Sequence, residues 1–149
     1  MSYTRLLYHV IFRTKYSANT ISEKHEQELY AYLFGIAKNN KAFVYKIGGV
    51  PNHIHMLLDI HPSTSLAVFM RDLKRSSSDW LTNNANFPNF EGWGESYGAF
   101  SYSIKERDSI SNYITNQKEH HKTITFEEEY RAFLKENEIE IDERYFLKN

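Results

Sequence analysis

Read from its N-terminus, the chain switches repeatedly between apolar runs with a period of two and runs with a period near 3.6. Leu6 to Lys15 is rich in Leu, Tyr, Val, Ile and Phe and ends in charge, which predicts a strand. Ser22, with Glu23 and Glu26 as cap and dipole partners, opens a helix in which Leu29, Leu33, Ile36 and Ala37 recur at helical spacing until Asn39-Asn40. Ala42 to Gly48 alternates again. The turn Gly48-Gly49-Val50-Pro51-Asn52 then leads into a run from His53 to Ile60 that reads as a buried strand, antiparallel to its predecessor. Ser65 caps a helix from about Leu66 to Leu81, with Leu66, Phe69, Met70, Leu73, Ser77 and Trp80 on its inner stripe and Arg71, Lys74, Arg75 and Asp79 mostly outside. Thr82 to Gly98 holds Asn, Pro and Gly without a period, a loop of the length that often carries function. Ala99 to Ile104 is a last strand, followed by helices from Glu106 to His120 and from Phe126 to Lys135.

The order β-α-β-β-α-β, with helices after it, predicts an α+β fold: a ferredoxin-like (RRM-like) sandwich whose antiparallel sheet carries helices on one face, plus C-terminal helices. The histidine-bearing strand is then central. A helix following the final strand can bring its side chains to the open face or the edge of the sheet. Residues 1–125 read as a single domain, with the acidic helix and tail of residues 126–149 packed on it.

At 149 residues, with 41% hydrophobic and 15% aromatic content, the chain can bury one core. Without cysteine it can form neither disulfides nor thiolate metal sites, and no run approaches a membrane span or carries a secretory cleavage site, so a soluble, cytoplasmic protein is expected. The net charge of -1 does not advertise a nucleic-acid binder, but it is unevenly spread. From Phe126 onward there are eight acidic and four basic residues, a net of -4, so the rest of the chain carries +3. That bias is compatible with a nucleic-acid surface.

Candidate chemistry centres on His53-Ile54-His55, where the period of two puts both imidazoles on one face of a strand. Tyr113 and Gln117, four apart, share one face of a helix. Each is bland alone: a strand histidine is usually structural, a helical tyrosine usually packs and a helical glutamine is usually solvated. Together, two histidines and an amide oxygen make an open set that suits Mg²⁺ or Mn²⁺ better than a closed zinc site, and a cation near a phosphate would help a phenol act as nucleophile. His120 and His121 point about a hundred degrees apart on a helix and read as phosphate contacts or surface packing. Arg71, Lys74, Arg75 and Ser76 read as a phosphate-contacting cluster on a basic helix face. The sequence contains no Gly-rich phosphate loop and no Ser-His-Asp arrangement.

These residues resemble the single-tyrosine HUH transposases. His53-Ile54-His55 after Pro51-Asn52, Leu73-Lys74-Arg75-Ser76-Ser77, Trp93-Gly94 with Gly98-Ala99-Phe100-Ser101, and Tyr113-Ile114-Thr115-Asn116-Gln117 occur in that family's order and spacing, from about Leu7 to Gln117. The part from His120-His121 through Glu129-Tyr130 to Ile141-Asp142-Glu143-Arg144-Tyr145 is similar to the branch associated with repetitive extragenic palindromes. The resemblance implies a homodimeric enzyme, with sites shared between subunits, acting on single-stranded DNA near a hairpin. It implies that Tyr113 attacks the scissile phosphate to form a 5′-phosphotyrosyl link, and that His53, His55 and Gln117 hold Mg²⁺ or Mn²⁺. Two other classes stay open: a non-catalytic or domesticated nucleic-acid-binding module whose sheet aromatics stack bases, and a metal-dependent phosphoesterase that activates water and needs no tyrosine.

Overall fold

Alternation along β1 (Leu7–Arg13) sends Val10 and Phe12 to one side of a sheet and His9 and Ile11 to the other. In the computed structural model, which describes residues 2–149, β1 lies between β3 (His53–Asp59) and β4 (Gly98–Tyr102), and β2 (Phe43–Val50) borders β3. All three pairings are antiparallel, giving the sheet order β2-β3-β1-β4 expected of the ferredoxin-like sandwich. The histidine strand is central, as expected. The register sets Ile11 opposite His55 and Arg13 opposite His53.

One face is covered by α1 (Glu26–Asn39) and α2 (Leu66–Thr82): Leu29, Leu33, Ala37, Phe69, Met70 and Leu73 pack on Val10, Phe12, Ile54, Met56 and Leu58. Each such side chain contributes roughly 1.5–3 kcal/mol by leaving water. The other face is covered by α3 (Arg107–Thr115), α4 (Gln117–His120) and α5 (Phe126–Glu136). Ile114 packs with Leu7 and Leu57 there, and Phe126 and Leu134 pack with Ile11 and Phe100. No helix among the described residues is long and apolar enough to cross a membrane.

Two glycines set how closely this second layer approaches. A Cβ on Gly48 of β2 would lie 2.7 Å from the Ile114 carbonyl oxygen, and one on Gly98 of β4 would lie 2.8 Å from the Tyr130 ring. Thus α3 rests on the bare backbone of β2 and the Tyr130 ring of α5 on that of β4, at opposite edges of the sheet.

Two helices differ by more than one residue from the sequence expectation. The first helix starts at Glu26 rather than Ser22, because Thr20 and Ile21 donate their backbone N–H groups to the Pro51 carbonyl at 3.1 and 2.9 Å and tie that segment to the β2–β3 turn. The single helix expected from Glu106 to His120 is interrupted at Asn116, whose φ of -93° and ψ of 18° separate α3 from α4.

Candidate active site

The β1–β3 register places His9, His53 and His55 on the face beneath α3, α4 and α5, all three fully buried. A capping box starts α5: the Thr125 hydroxyl accepts from the Glu128 N–H at 3.1 Å, and the Glu128 carboxylate accepts from the Thr125 N–H at 3.3 Å. From that start Phe126, Glu129, Tyr130, Phe133 and Leu134 fall at i, i+3, i+4, i+7 and i+8, the stripe turned to the sheet. Phe126 packs on the His53 ring at 4.3 Å between centroids. Glu129, only 2% exposed, is thereby delivered among the histidines.

Glu129 is the hub of the site. Its Oε1 lies 3.3 Å from His53 Nε2, 3.2 Å from His55 Nε2 and 3.1 Å from His121 Nε2. Its Oε2 accepts from Gln117 Nε2 at 3.0 Å and from the Tyr113 hydroxyl. Gln117 Oε1 faces His53 Nε2 at 3.2 Å, and His120 Nε2 is 3.2 Å from the Tyr113 oxygen. Burial pushes the Tyr113 phenol up, and the bond to Glu129 pushes it further. Burial alone would raise the Glu129 carboxyl, but hydrogen bonds with His121, His53 and His55 hold it far below the usual range. His53 is lowered to about 4, chiefly by burial. His121 is raised, because the Glu129 contact outweighs its burial.

The donor chemistry fits a metal. One donor atom each from His53, His55, His121 and Glu129 lies within 4.8 Å of the others, a set consistent with a divalent ion. The second nitrogen of each imidazole is anchored: His53 Nδ1 to Asn52 Oδ1 at 2.7 Å, His55 Nδ1 to His9 Nε2 at 2.7 Å and His121 Nδ1 to the Ile124 carbonyl at 2.9 Å. Metal-ligating histidines are oriented in this way. Two openings reach the site. A groove of about 860 Å³ runs past His121, Lys118 and Lys122, and a second of about 510 Å³ is lined by Tyr102, Tyr113, His120, Glu129 and Phe133.

The four residues singled out in the sequence, His53, His55, Tyr113 and Gln117, therefore converge. The basic cluster does not join them. Lys74 donates its ammonium to the Gly94 and Ser96 carbonyls at 2.7 and 2.9 Å, clamping the loop before β4. Arg71 and Arg75 are exposed and Ser76 is half-buried on α2, across the sheet from the histidines. Sequence reasoning missed His9 and Glu129 and gave His120 and His121 to phosphate contact or surface packing. The available signal was a carboxylate on an otherwise apolar and aromatic stripe.

Comparison with known proteins bears on this centre. A family described as transposase IS200-like matches residues 2–117. The ISDra2 transposase TnpA of Deinococcus radiodurans is 27% identical over 120 residues, covering 76% of this chain and 84% of that protein. A crystal structure of a provisionally assigned transposase from Deinococcus radiodurans R1 superposes with a TM-score of 0.58 at 27% identity, over 78% of this chain and 93% of that one. A structure of a REP-associated tyrosine transposase bound to a REP hairpin shares the fold, with a TM-score of 0.62 at 11% identity over 83% and 73% of the two chains.

Proposed function

This chain belongs to the IS200-like transposase family, and we propose that it is a metal-dependent enzyme that cleaves and rejoins single-stranded DNA at hairpin-associated sites through a 5′-phosphotyrosine intermediate. The observation that carries this reading is the convergence of the Tyr113 hydroxyl with His53, His55 and Gln117 around one buried point. Tyr113 attacks phosphorus in line, the P–O3′ bond breaks, the 3′-oxygen leaves as a hydroxyl and the 5′-phosphate stays on the tyrosine. Attack of a 3′-hydroxyl on that link reverses the step with no external energy source. A Mg²⁺ or Mn²⁺ ion held by His53, His55 and Gln117 would supply charge stabilisation at the scissile phosphate. The chain's own groups handle the nucleophile: the phenol donates a hydrogen bond to Glu129 Oε2, which orients its oxygen, and His120 borders the same oxygen.

Hairpin DNA as substrate is supported by the REP-hairpin complex of the structural relative, and a homodimer by the resemblance described above. The net of -4 over residues 126–149 leaves DNA contact to the earlier part of the chain. The test is a denaturing gel of protein incubated with single-stranded hairpin oligonucleotides and Mn²⁺. Wild type forms a covalent adduct, Tyr113→Phe binds the hairpin but forms none, and an adduct with Tyr113→Phe would overturn the assignment. A water-activating phosphoesterase would cut without any adduct.

A further inference from the structure

We propose that His121 and Glu129, which lie beyond the family-matched residues 2–117, complete the metal centre as ligands, and that the second oxygen of Glu129 positions Tyr113 on it. This inference rests on the metal-dependent reading above and widens its ligand set. The C-terminal helix then forms a working part of the centre, beyond packing on it.

Lone-pair accounting carries the argument. His121 Nδ1 faces a backbone carbonyl, which can only accept, so Nδ1 bears a proton in either charge state, and in the neutral ring that a metal ligand has to be, Nε2 turns its lone pair on Glu129 Oε1 at 3.1 Å. His53 repeats the pattern: its Nδ1 meets Asn52 Oδ1, and its Nε2 meets Glu129 Oε1 at 3.3 Å and Gln117 Oε1 at 3.2 Å. With the rings in the neutral form that metal ligation requires, acceptors face acceptors around one point. A cation satisfies all of them. Among the described residues no Lys or Arg pairs with Glu129, so its buried charge has no permanent counter-ion.

Spacing agrees. Neighbouring ligand atoms around an octahedral ion with bonds of about 2.1 Å sit about 3 Å apart, and Glu129 Oε1 is 3.1 to 3.3 Å from three imidazole nitrogens. The opposite oxygen takes the Tyr113 hydroxyl and the Gln117 amide, so one carboxylate spans the metal position and the nucleophile. Three imidazoles also select the ion. Mg²⁺ prefers oxygen ligands and retained water and gains least from nitrogen donors, so between the two ions considered above this set takes Mn²⁺ in preference to Mg²⁺. The competing picture makes Glu129 an internal plug that fills the site and leaves when an ion enters, and it predicts tighter metal binding once the carboxylate is removed.

Calorimetric titration of the purified full-length chain with MnCl₂ and MgCl₂ separates the two pictures, with the Tm of the metal-free protein as the folding control. Mn²⁺ should bind at least tenfold more tightly than Mg²⁺. Glu129→Ala and His121→Ala should each weaken Mn²⁺ at least tenfold, and the isosteric Glu129→Gln should weaken it too while keeping the fold. At saturating Mn²⁺, Glu129→Gln should slow adduct formation with hairpin affinity unchanged, which a merely structural role would not do. Mn²⁺ binding that Glu129→Ala leaves equal or tighter, while His53→Ala removes it, overturns the proposal and leaves the phosphotyrosine reading standing. A Glu129→Gln protein with the full adduct rate overturns the positioning role. Absence of binding to the wild type, with adducts formed in chelator, overturns this proposal and the metal-dependent reading together.

Discussion

Gly48→Ala should damage catalysis more than stability. The added Cβ would meet the Ile114 carbonyl oxygen at 2.7 Å and Ile114 Cγ2 at 2.8 Å, and ordinary contact begins near 3.4 Å. The obstruction includes helix backbone, so α3 has to move by about 0.7 Å or the strand has to bend. Overpacking of this kind costs roughly 1–3 kcal/mol, offset by roughly 0.5–1 kcal/mol because alanine restricts the unfolded chain. At roughly 2–4 °C per kcal/mol for a chain of this size, the Tm should fall by a few degrees. Tyr113 precedes Ile114 on the same helix, so the shift carries the nucleophile with it. Since a displacement of about 1 Å can cost about a hundredfold in rate, a tenfold loss of adduct formation is expected well below the Tm. Adduct yield on a hairpin oligonucleotide and a thermal melt measure the two effects. Gly35→Ala, on α1 with nothing within 4 Å of its Cβ, is the matched control and should raise stability by about 0.5–1 kcal/mol without touching the rate. A Gly48→Ala protein with both rate and Tm unchanged would show that α3 does not rest on that glycine.

Three further outcomes follow. Replacing Arg71 and Arg75 with Ala should lower the salt slope of hairpin binding by about 0.7 to 0.9 per lost phosphate contact, and an unchanged slope would make the outer face of α2 merely solvated. Metal-free protein should lose stability as pH falls from 7 to 5: His53 protonates at about 4 when folded and His9 well below its ordinary value, against about 6.5 unfolded, and these two rings outweigh the raised His121, so in that window the unfolded chain binds more protons. The loss approaches about 1.4 kcal/mol per unit for each ring, and a Tm that climbs on acidification refutes it. Mixing inactive Tyr113→Phe with inactive His55→Ala protein should restore no cleavage after subunit exchange, because Tyr113 meets the histidines of its own chain, with 6.0 Å between its ring and that of His55. Recovered activity would mean that the sites are shared between subunits, as the resemblance implies.

The fold was legible because its periods are clean. β3 is apolar on one side and histidine-bearing on the other, and α2 carries Phe69, Met70 and Leu73 on a single stripe, so a split β-α-β arrangement follows from the order of elements. The start of α1 was not legible. Ser22 has the right residue type for a cap, but the tie of Thr20 and Ile21 to Pro51 is a contact across about thirty residues that no local pattern encodes. The same holds for Lys74: its position on the helix predicts solvent, and only the return of the loop at Gly94 and Ser96 gives its ammonium two carbonyls.

The site divides along similar lines. His53 with His55, and Tyr113 with Gln117, announce themselves through spacing within one element, since two residues apart on a strand or four on a helix fixes a shared face. His9 and Glu129 enter through register and through the packing of α5, and neither is a property of a single element. A local reading could still have asked more of Glu129. A carboxylate between Phe126 and Phe133 on an amphipathic stripe has to be carried into the interior with its neighbours, and a buried carboxylate without Lys or Arg needs protons, donors or a metal. In this chain that need is met by the histidines of a strand more than seventy residues away. The acidic helix, which by composition argues against a DNA enzyme, thus places one of its charges where a cation is wanted.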